Sequence, residues 1–232
     1  MIKKILILIT IIFVTLATTY ALKLLFFKPF SFNHFLTRQL VYDALESPEY
    51  LTYIGILEKY GYRSYNGKLS DYSLEKDIKD LKKLKKEYKI LNSYENEELS
   101  AEELTSKKIS LFQMRNEIDQ RTKYPYHSYP LIQMNGLHTR ILEFMTDIHP
   151  IKDEKDAKYY LSRLEMIPLV FSQILEKMEK RKNLKIFPPT FMVERVIGQI
   201  ENIIDIPISK NPLINIYEDK LSSIGMSNDL IN

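Results

Sequence analysis

Residues 153–181 and 190–204 carry apolar side chains at intervals of three and four, and a Pro188-Pro189 pair stands between the two stretches. That interval matches the turn of an α-helix, so each stretch reads as a helix with one buried face. Neither helix can run through a diproline, which removes two amide donors and fixes φ, so the junction is a stiff turn. Elsewhere, runs that alternate apolar and polar residues are essentially missing, and a half-buried strand needs that alternation. The fold class expected is all-α: a helical bundle or array of about seven to nine helices, preceded by an N-terminal hydrophobic helix.

That N-terminal segment follows Lys3 and Lys4 and runs from residue 5 to residue 22 without a charge. At 1.5 Å per helical residue it spans about 27 Å, close to the hydrocarbon thickness of a bilayer. The two lysines place the N-terminus on the cytoplasmic side and export the body. Three readings stay open. A cleaved signal peptide would use Thr19 and Ala21 as the small residues before the cut, although Thr-Tyr-Ala is a poor version of Ala-x-Ala. An uncleaved anchor suits the length and the continuing Leu24-Leu25-Phe26-Phe27. A core helix, apolar all round at a chain terminus, would need unusual burial. Residues 1–28 are therefore assigned to a signal peptide or membrane anchor, and residues 33–232 to a helical domain. The location expected is exported: membrane-attached, periplasmic or extracellular.

The chain is 45% hydrophobic and 27% charged, which suits a folded domain with a sizeable core. The full chain's net charge is +3, with lysines interspersed among acids, whereas a nucleic-acid surface wants a basic stripe with aromatic partners. No nucleic-acid partner is expected. The chain has no Cys, which excludes disulfides, cysteine metal ligands and lipoprotein anchoring through cysteine.

Taken in order, residues 33–46 read as a first helix. Ser47-Pro48 starts the next with a good N-cap and a proline at the first helical position. Residues 62–72 form a loop with a turn at Asn66-Gly67. Residues 73–91 are the clearest helix, with Leu74, Ile78, Leu81, Leu84, Tyr88 and Leu91 on one face. Ser100 to Glu103 is a capping box, opening a helix toward Arg121 that pairs with its predecessor as a hairpin. Residues 136–148 form a short helix stopped by His149-Pro150. Asp153, Glu154 and Asp156 sit in the first turn of the next, where the macrodipole favours them. Pro168 should kink that helix or start a new one. A last segment spans residues 213–221, and Ser227 to Leu230 opens another helix.

Few residues invite a chemical reading. Tyr124 and Tyr129 lie in a Tyr/Pro-rich loop over residues 124–130 that is either a cleft wall or a packed corner. His149 is a ligand or catalytic group on one reading and a cap or packing residue on the other. Arg163 and Arg195 have the planar fork that binds a carboxylate, but salt bridges to neighbouring helices account for them as well. These five residues are the substrate-side candidates. No catalytic or metal-binding residue is assigned. The four histidines, His34, His127, His138 and His149, have no i, i+4 pair that would aim two imidazoles at one zinc ion. There is no Gly-x-Ser-x-Gly elbow to support a serine hydrolase.

Five short pieces in fixed order carry a family resemblance. They are Ser47-Pro48-Glu49 with Tyr53-Ile54-Gly55, Asp71-Tyr72-Ser73, and Tyr129-Pro130-Leu131-Ile132-Gln133 with Gly136 and Glu143-Phe144. His149-Pro150-Ile151 follows, with Asp156-Ala157, Tyr160-Leu161 and Arg163-Leu164, and then Pro188-Pro189-Thr190-Phe191 with Val196-Ile197. In this the chain resembles the bacterial domain of unknown function 885 family over roughly residues 33–232. Members of that family look like zinc-dependent peptidases or related hydrolases. Their metal signature is a His-Glu pair followed by Pro-Gly-His in the second half, and here no histidine precedes a glutamate. The resemblance thus implies the N-terminal scaffold and substrate-cleft portion of a split or truncated peptidase-like hydrolase, with no activity alone. No cofactor belongs to this chain, and zinc is implied only for the missing C-terminal half. The partners implied are the membrane, through the N-terminus, and a separately encoded catalytic half. The alternatives are a membrane-tethered helical interaction module and a decayed, inactive remnant. On the truncated reading Leu213, Ile214, Ile216, Leu230 and Ile231 form an exposed apolar surface.

Overall fold

The computed structural model describes residues 2–226, and among them it is all-helical. The helices are α1 (Ile2–Phe26), α2 (Phe32–Glu46), α3 (Pro48–Ile54), α4 (Leu74–Asn92), α5 (Ala101–Lys123), α6 (Leu137–Glu143), α7 (Glu154–Asn183), α8 (Thr190–Ile204) and α9 (Pro212–Ser223). Short 3-10 turns lie between several of them, and a π-turn (Phe144–Ile148) extends α6. The chain forms two compact units. The first is the chain up to Asp43 with Lys79–Lys123; the second is Ala44–Ile78 with the chain from Tyr124 onward.

In the first unit α1 is apolar along Lys3–Phe26 and none of its most hydrophobic window is buried. It is long and apolar enough to cross a membrane. The unit's core is small and aromatic: Phe32, Phe35, Leu91 and Tyr94 are buried, with Leu111 and Met114 of α5 packed against them. The Tyr94 ring meets Phe32 edge-on at 5.8 Å, and its hydroxyl donates to Pro29 O at 2.9 Å. Burial pushes that phenol up to about 12. The capping box forms as expected: Ser100 N donates to Glu103 Oε2 at 3.0 Å and Glu103 N to Ser100 Oγ at 3.2 Å.

The stripe along α4 is only partly a core stripe. Leu91 is fully buried and Leu74, Leu81, Leu84 and Tyr88 are half-buried, yet Ile78 is 69% exposed. Glu87 lies buried instead, held by Arg38 at 2.6 Å and by Gln39 at 2.7 Å. A helical period marks a face, but neighbouring elements decide which positions on it are covered.

In the second unit α7 is the central element. Ala157, Tyr160, Val170 and Ile174 are buried along it, together with Leu137, Met145, Tyr217 and Leu221 from other elements. Asp153 caps α7, accepting from Asp156 N at 3.0 Å, and Arg63 ties Asp153 and Asp156 to the turn Ser64–Gly67. Of the two expectations at Pro168, a kink or a new helix, the new helix does not occur: α7 continues through it. The single amide bond that proline forgoes is outweighed by the buried residues flanking it, Tyr160 and Arg163 before and Val170 and Ile174 after.

α3 begins at Ser47, whose hydroxyl accepts from Tyr50 N at 3.3 Å, and ends at Gly55 with φ 58°. The end of α7 has the same left-handed exit at Lys185, φ 59°, with Ile186 N bonded to Arg181 O at 2.9 Å and Lys185 N to Lys182 O at 3.0 Å. This is a Schellman motif with lysine where glycine fits best. Lys185→Gly is expected to raise the denaturant midpoint, by about 0.5–1 kcal/mol of stability, because the Cβ strain outweighs glycine's extra unfolded-state freedom.

α9 corrects the expectation of an apolar surface near the end of the chain. Leu213, Ile214 and Ile216 are half-buried, and Leu213 packs on the core. The helix is drawn in by Tyr217, stacked on Tyr160 at 5.1 Å, and by the Tyr160 hydroxyl, which donates to Leu213 O at 2.8 Å. Leu230, Ile231 and the helix start at residues 227–230 lie outside the described residues.

Candidate functional site

Where the start of α3, the loop before α4, and α6 with its π-turn come together, the second unit holds a cavity of about 350 Å³. Leu69, Leu137, Ile141 and Phe144 give it an apolar floor, and Glu49, Ser70, Tyr72, Arg140 and Glu143 supply polar groups. Its geometry follows from local structure. Ser47 and Pro48 start α3 so that Glu49 falls in its first turn. Glu49 then accepts from Ser70 N at 2.9 Å and from Ser70 Oγ at 2.5 Å, which pins the loop that carries Tyr72. Tyr72 N in turn donates to Gln173 Oε1 at 2.9 Å.

The π-turn decides what the far wall presents. His149 N bonds to Phe144 O at 2.9 Å, five residues back, and the extra residue re-aims the side chains that follow. Phe144 and Met145 are both buried as a result, while Ile148 lines the cavity. Gly136 sets where α6 begins. A Cβ there would fall 2.5 Å from both Ile132 O and His138 Cε1, and a backbone oxygen cannot yield as a side chain can. Gly136→Ala is expected to cost about 2 kcal/mol through overpacking, read as a lower thermal midpoint with helix content kept at low temperature.

The chemistry on offer is binding. Both Glu49 oxygens are occupied by Ser70, so its carboxylate is a strut. Burial, reinforced by Glu49 and countered by Arg140, pushes the Tyr72 phenol above its ordinary value, so it stays a neutral hydrogen-bond donor. Arg140 and Glu143 are exposed on the rim. An apolar floor with one guanidinium and one phenol suits a small group that carries a carboxylate.

The five residues singled out from sequence do not gather at this cavity. Tyr124 is exposed, edge-on to His127 at 5.9 Å. The half-buried Tyr129 donates its hydroxyl to Phe187 O at 3.0 Å. Their loop is tied to α7 through its backbone: Arg181 donates to Tyr126 O at 2.7 Å and also to Ser128 O, and Tyr126 has φ 70°. Arg195 lies exposed on α8. His149 and Arg163 do come together, but behind the cavity floor. His149 is fully buried, donates Nε2–H to Asn66 O at 3.1 Å and meets Tyr160 edge-on at 5.2 Å. Burial, with Arg163 and Lys220 adding to it, pulls its pKa down to about 3. Arg163 is equally buried, and its expected salt bridge is absent among the described residues. It donates instead to Lys68 O at 2.8 Å, Thr52 Oγ1 at 2.7 Å and Tyr65 O at 3.1 Å, with the guanidinium 4.7 Å from the centre of the Phe144 ring. Burial lowers its pKa to about 10, so it stays charged at neutral pH.

Zinc does not fit these residues. Among those described, no three His, Cys, Asp or Glu side chains group so as to hold a metal ion. His138, like His149, is already engaged, with Nε2 3.0 Å from Gln199 Oε1.

Sequence reasoning had not singled out Glu49, Tyr72, Arg140 or Glu143 as cavity residues. A signal for three of them was present, since Ser-Pro-Glu, Asp-Tyr-Ser and Glu-Phe are among the pieces that carry the family resemblance.

Residues 48–227 match the family model described as a bacterial protein of unknown function, DUF885. Among solved structures the chain resembles one described as "the putative lipoprotein from Colwellia psychrerythraea", with a TM-score of 0.66 at 15% identity. The likeness covers 83% of this chain and 36% of that one, so this chain spans little more than a third of that protein's length. At such identity the fold alone is shared. No curated protein matches the chain.

Proposed function

The chain belongs to the bacterial DUF885 family, and from that premise we propose that its folded residues are the scaffold and substrate-side wall of a peptidase-like hydrolase, tethered to a membrane by α1 and not catalytic by themselves. The observation that carries this reading is the cavity beside α6: an apolar floor with Arg140 and the Tyr72 hydroxyl at hand, and a histidine and an arginine behind it spent on structure. Such a wall positions a peptide through its carboxylate and leaves bond cleavage to groups elsewhere. No step is assigned to a metal, because the donor geometry here does not suit one.

A second reading, a tethered interaction module, draws on α8, where Val193, Ile197 and Ile204 share one exposed apolar face.

The purified full chain in detergent is expected to hold no stoichiometric zinc and to hydrolyse no peptide. It is expected to bind short peptides with a free carboxylate, with Arg140→Ala weakening that binding about tenfold or more, as loss of a charge-assisted hydrogen bond does. Peptide binding indifferent to Arg140 would favour the interaction module. One tight zinc per chain, lost on changing His138 and His149, would overturn the scaffold reading outright.

A further inference from the structure

The last carbonyls of a helix have no partner within it and need donors from outside. At the end of α1 each of them finds one in the first unit. Arg38 Nη1 donates to Leu24 O at 3.1 Å and to Phe27 O at 2.5 Å, the Tyr42 hydroxyl to Leu25 O at 2.5 Å, and Lys86 Nζ to Phe26 O at 3.1 Å. Arg38 is itself buried against Glu87 at 2.6 Å, so the cap is built into the body of α2 and α4. Positive charge at this end also complements the helix dipole. Further back on α1, Tyr20 stacks on Phe30 at 5.3 Å, and Lys23 lies over the same ring at 3.9 Å.

Around this rigid junction the surface is apolar and aromatic. Phe26, Phe27 and Phe30 are each more than half exposed, and so is Leu40 on α2. A hydrophobic patch at the mouth of an apolar span, with the Lys23 ammonium over the Phe30 ring, is the composition of a bilayer interface. We infer that the end of α1 and the start of α2 form an interfacial seat, by which the first unit lies against the lipid of the same membrane that α1 enters, and that α1 is retained. Lipid is the occupant because the patch is continuous with a 24-residue apolar span, none of whose most hydrophobic window is buried. The inference rests on the tether in the reading above and is independent of the hydrolase part.

The chain has no Trp, so Phe30→Trp introduces one reporter. The full-length variant in vesicles of phosphatidylcholine and phosphatidylglycerol is expected to lose indole emission when the acyl chains are brominated near the headgroup, and to keep it when iodide is added to the water. Arg38→Met, which strips donors from Leu24 and Phe27, should reverse that pattern while the protein still needs detergent for extraction. An indole quenched by iodide but not by bromolipid in the Phe30→Trp chain would overturn the seat and leave the tether standing. An indole silent to both, in a chain that runs as a dimer, would put a second copy there instead. An N-terminus beginning after Ala21 in protein isolated from cells would overturn retention.

Discussion

Taking the pH from 7 to 4 is expected to cost the second unit about 3 kcal/mol through His149 alone, by linkage. His149 is fully buried with Nε2–H given to Asn66 O, and the charges of Arg163 and Lys220 oppose a second proton. Its folded pKa is about 3 against an ordinary 6.5. A histidine depressed in this way contributes stability that is fully present above its unfolded pKa. As the pH falls below 6.5 the unfolded chain takes up a proton that the folded chain refuses, and the loss levels off only below about 3. Asp153, lowered chiefly by its hydrogen bond to Arg63, adds to the loss at the acid end of that window. The measurement is the urea midpoint from pH 7 to 4 for the native chain and for His149→Gln, which keeps an N–H for Asn66 O. The variant should be less stable at pH 7 and flatter with pH. Equal slopes for the two proteins would show that His149 is not held neutral.

Replacing Arg163 is expected to be the most damaging single change, with Arg163→Met costing roughly 4 kcal/mol. The guanidinium is the largest fully buried side chain, and it bridges α7 to Lys68 O, Tyr65 O and Thr52 Oγ1. Methionine fills much of the volume and takes the donor from Lys68 O and Thr52 Oγ1, leaving Tyr65 O only the Lys68 N–H at 3.0 Å, which is where the energy goes. Arg163→Lys should recover little, because one ammonium on a thinner stem cannot repeat a planar fork that serves four acceptors, Pro48 O at 3.4 Å among them. The readout is the denaturant midpoint, together with amide exchange over residues 64–70, which should quicken more than exchange in α5. A midpoint within 1 kcal/mol of the native chain, on the order of an ordinary surface change, would mean the bonds are replaced by water and the bridge is dispensable.

Much of the fold is legible before any coordinates. The 3.6-residue period, Ser47-Pro48, the Ser100–Glu103 box, the His149-Pro150 stop and Pro188-Pro189 each act within a few residues, so local sequence suffices to place helix starts and stops. Family membership was legible for a related reason: the resemblance rests on five short pieces in fixed order, and residues 48–227 match the family model. Local rules fail where a distant group decides. Pro168 reads as a kink or a new helix start, and packing on both sides carries α7 through it as one helix.

The candidate site shows the same division. The sequence alone determined an all-α chain, an apolar N-terminal span and histidines without zinc spacing, because each of these depends on residue type and interval. Only the tertiary structure decided that His149 and Arg163 support the cavity from behind, that Tyr124, Tyr129 and Arg195 lie away from it, and that Arg38 and Glu87 pair to cap α1. Those outcomes turn on burial and on partners 49 residues apart for Arg38 and Glu87, and 95 apart for Arg163 and Lys68. A buried charge is tolerated only where distant backbone or an opposite charge closes around it, and no interval along the chain encodes that closure.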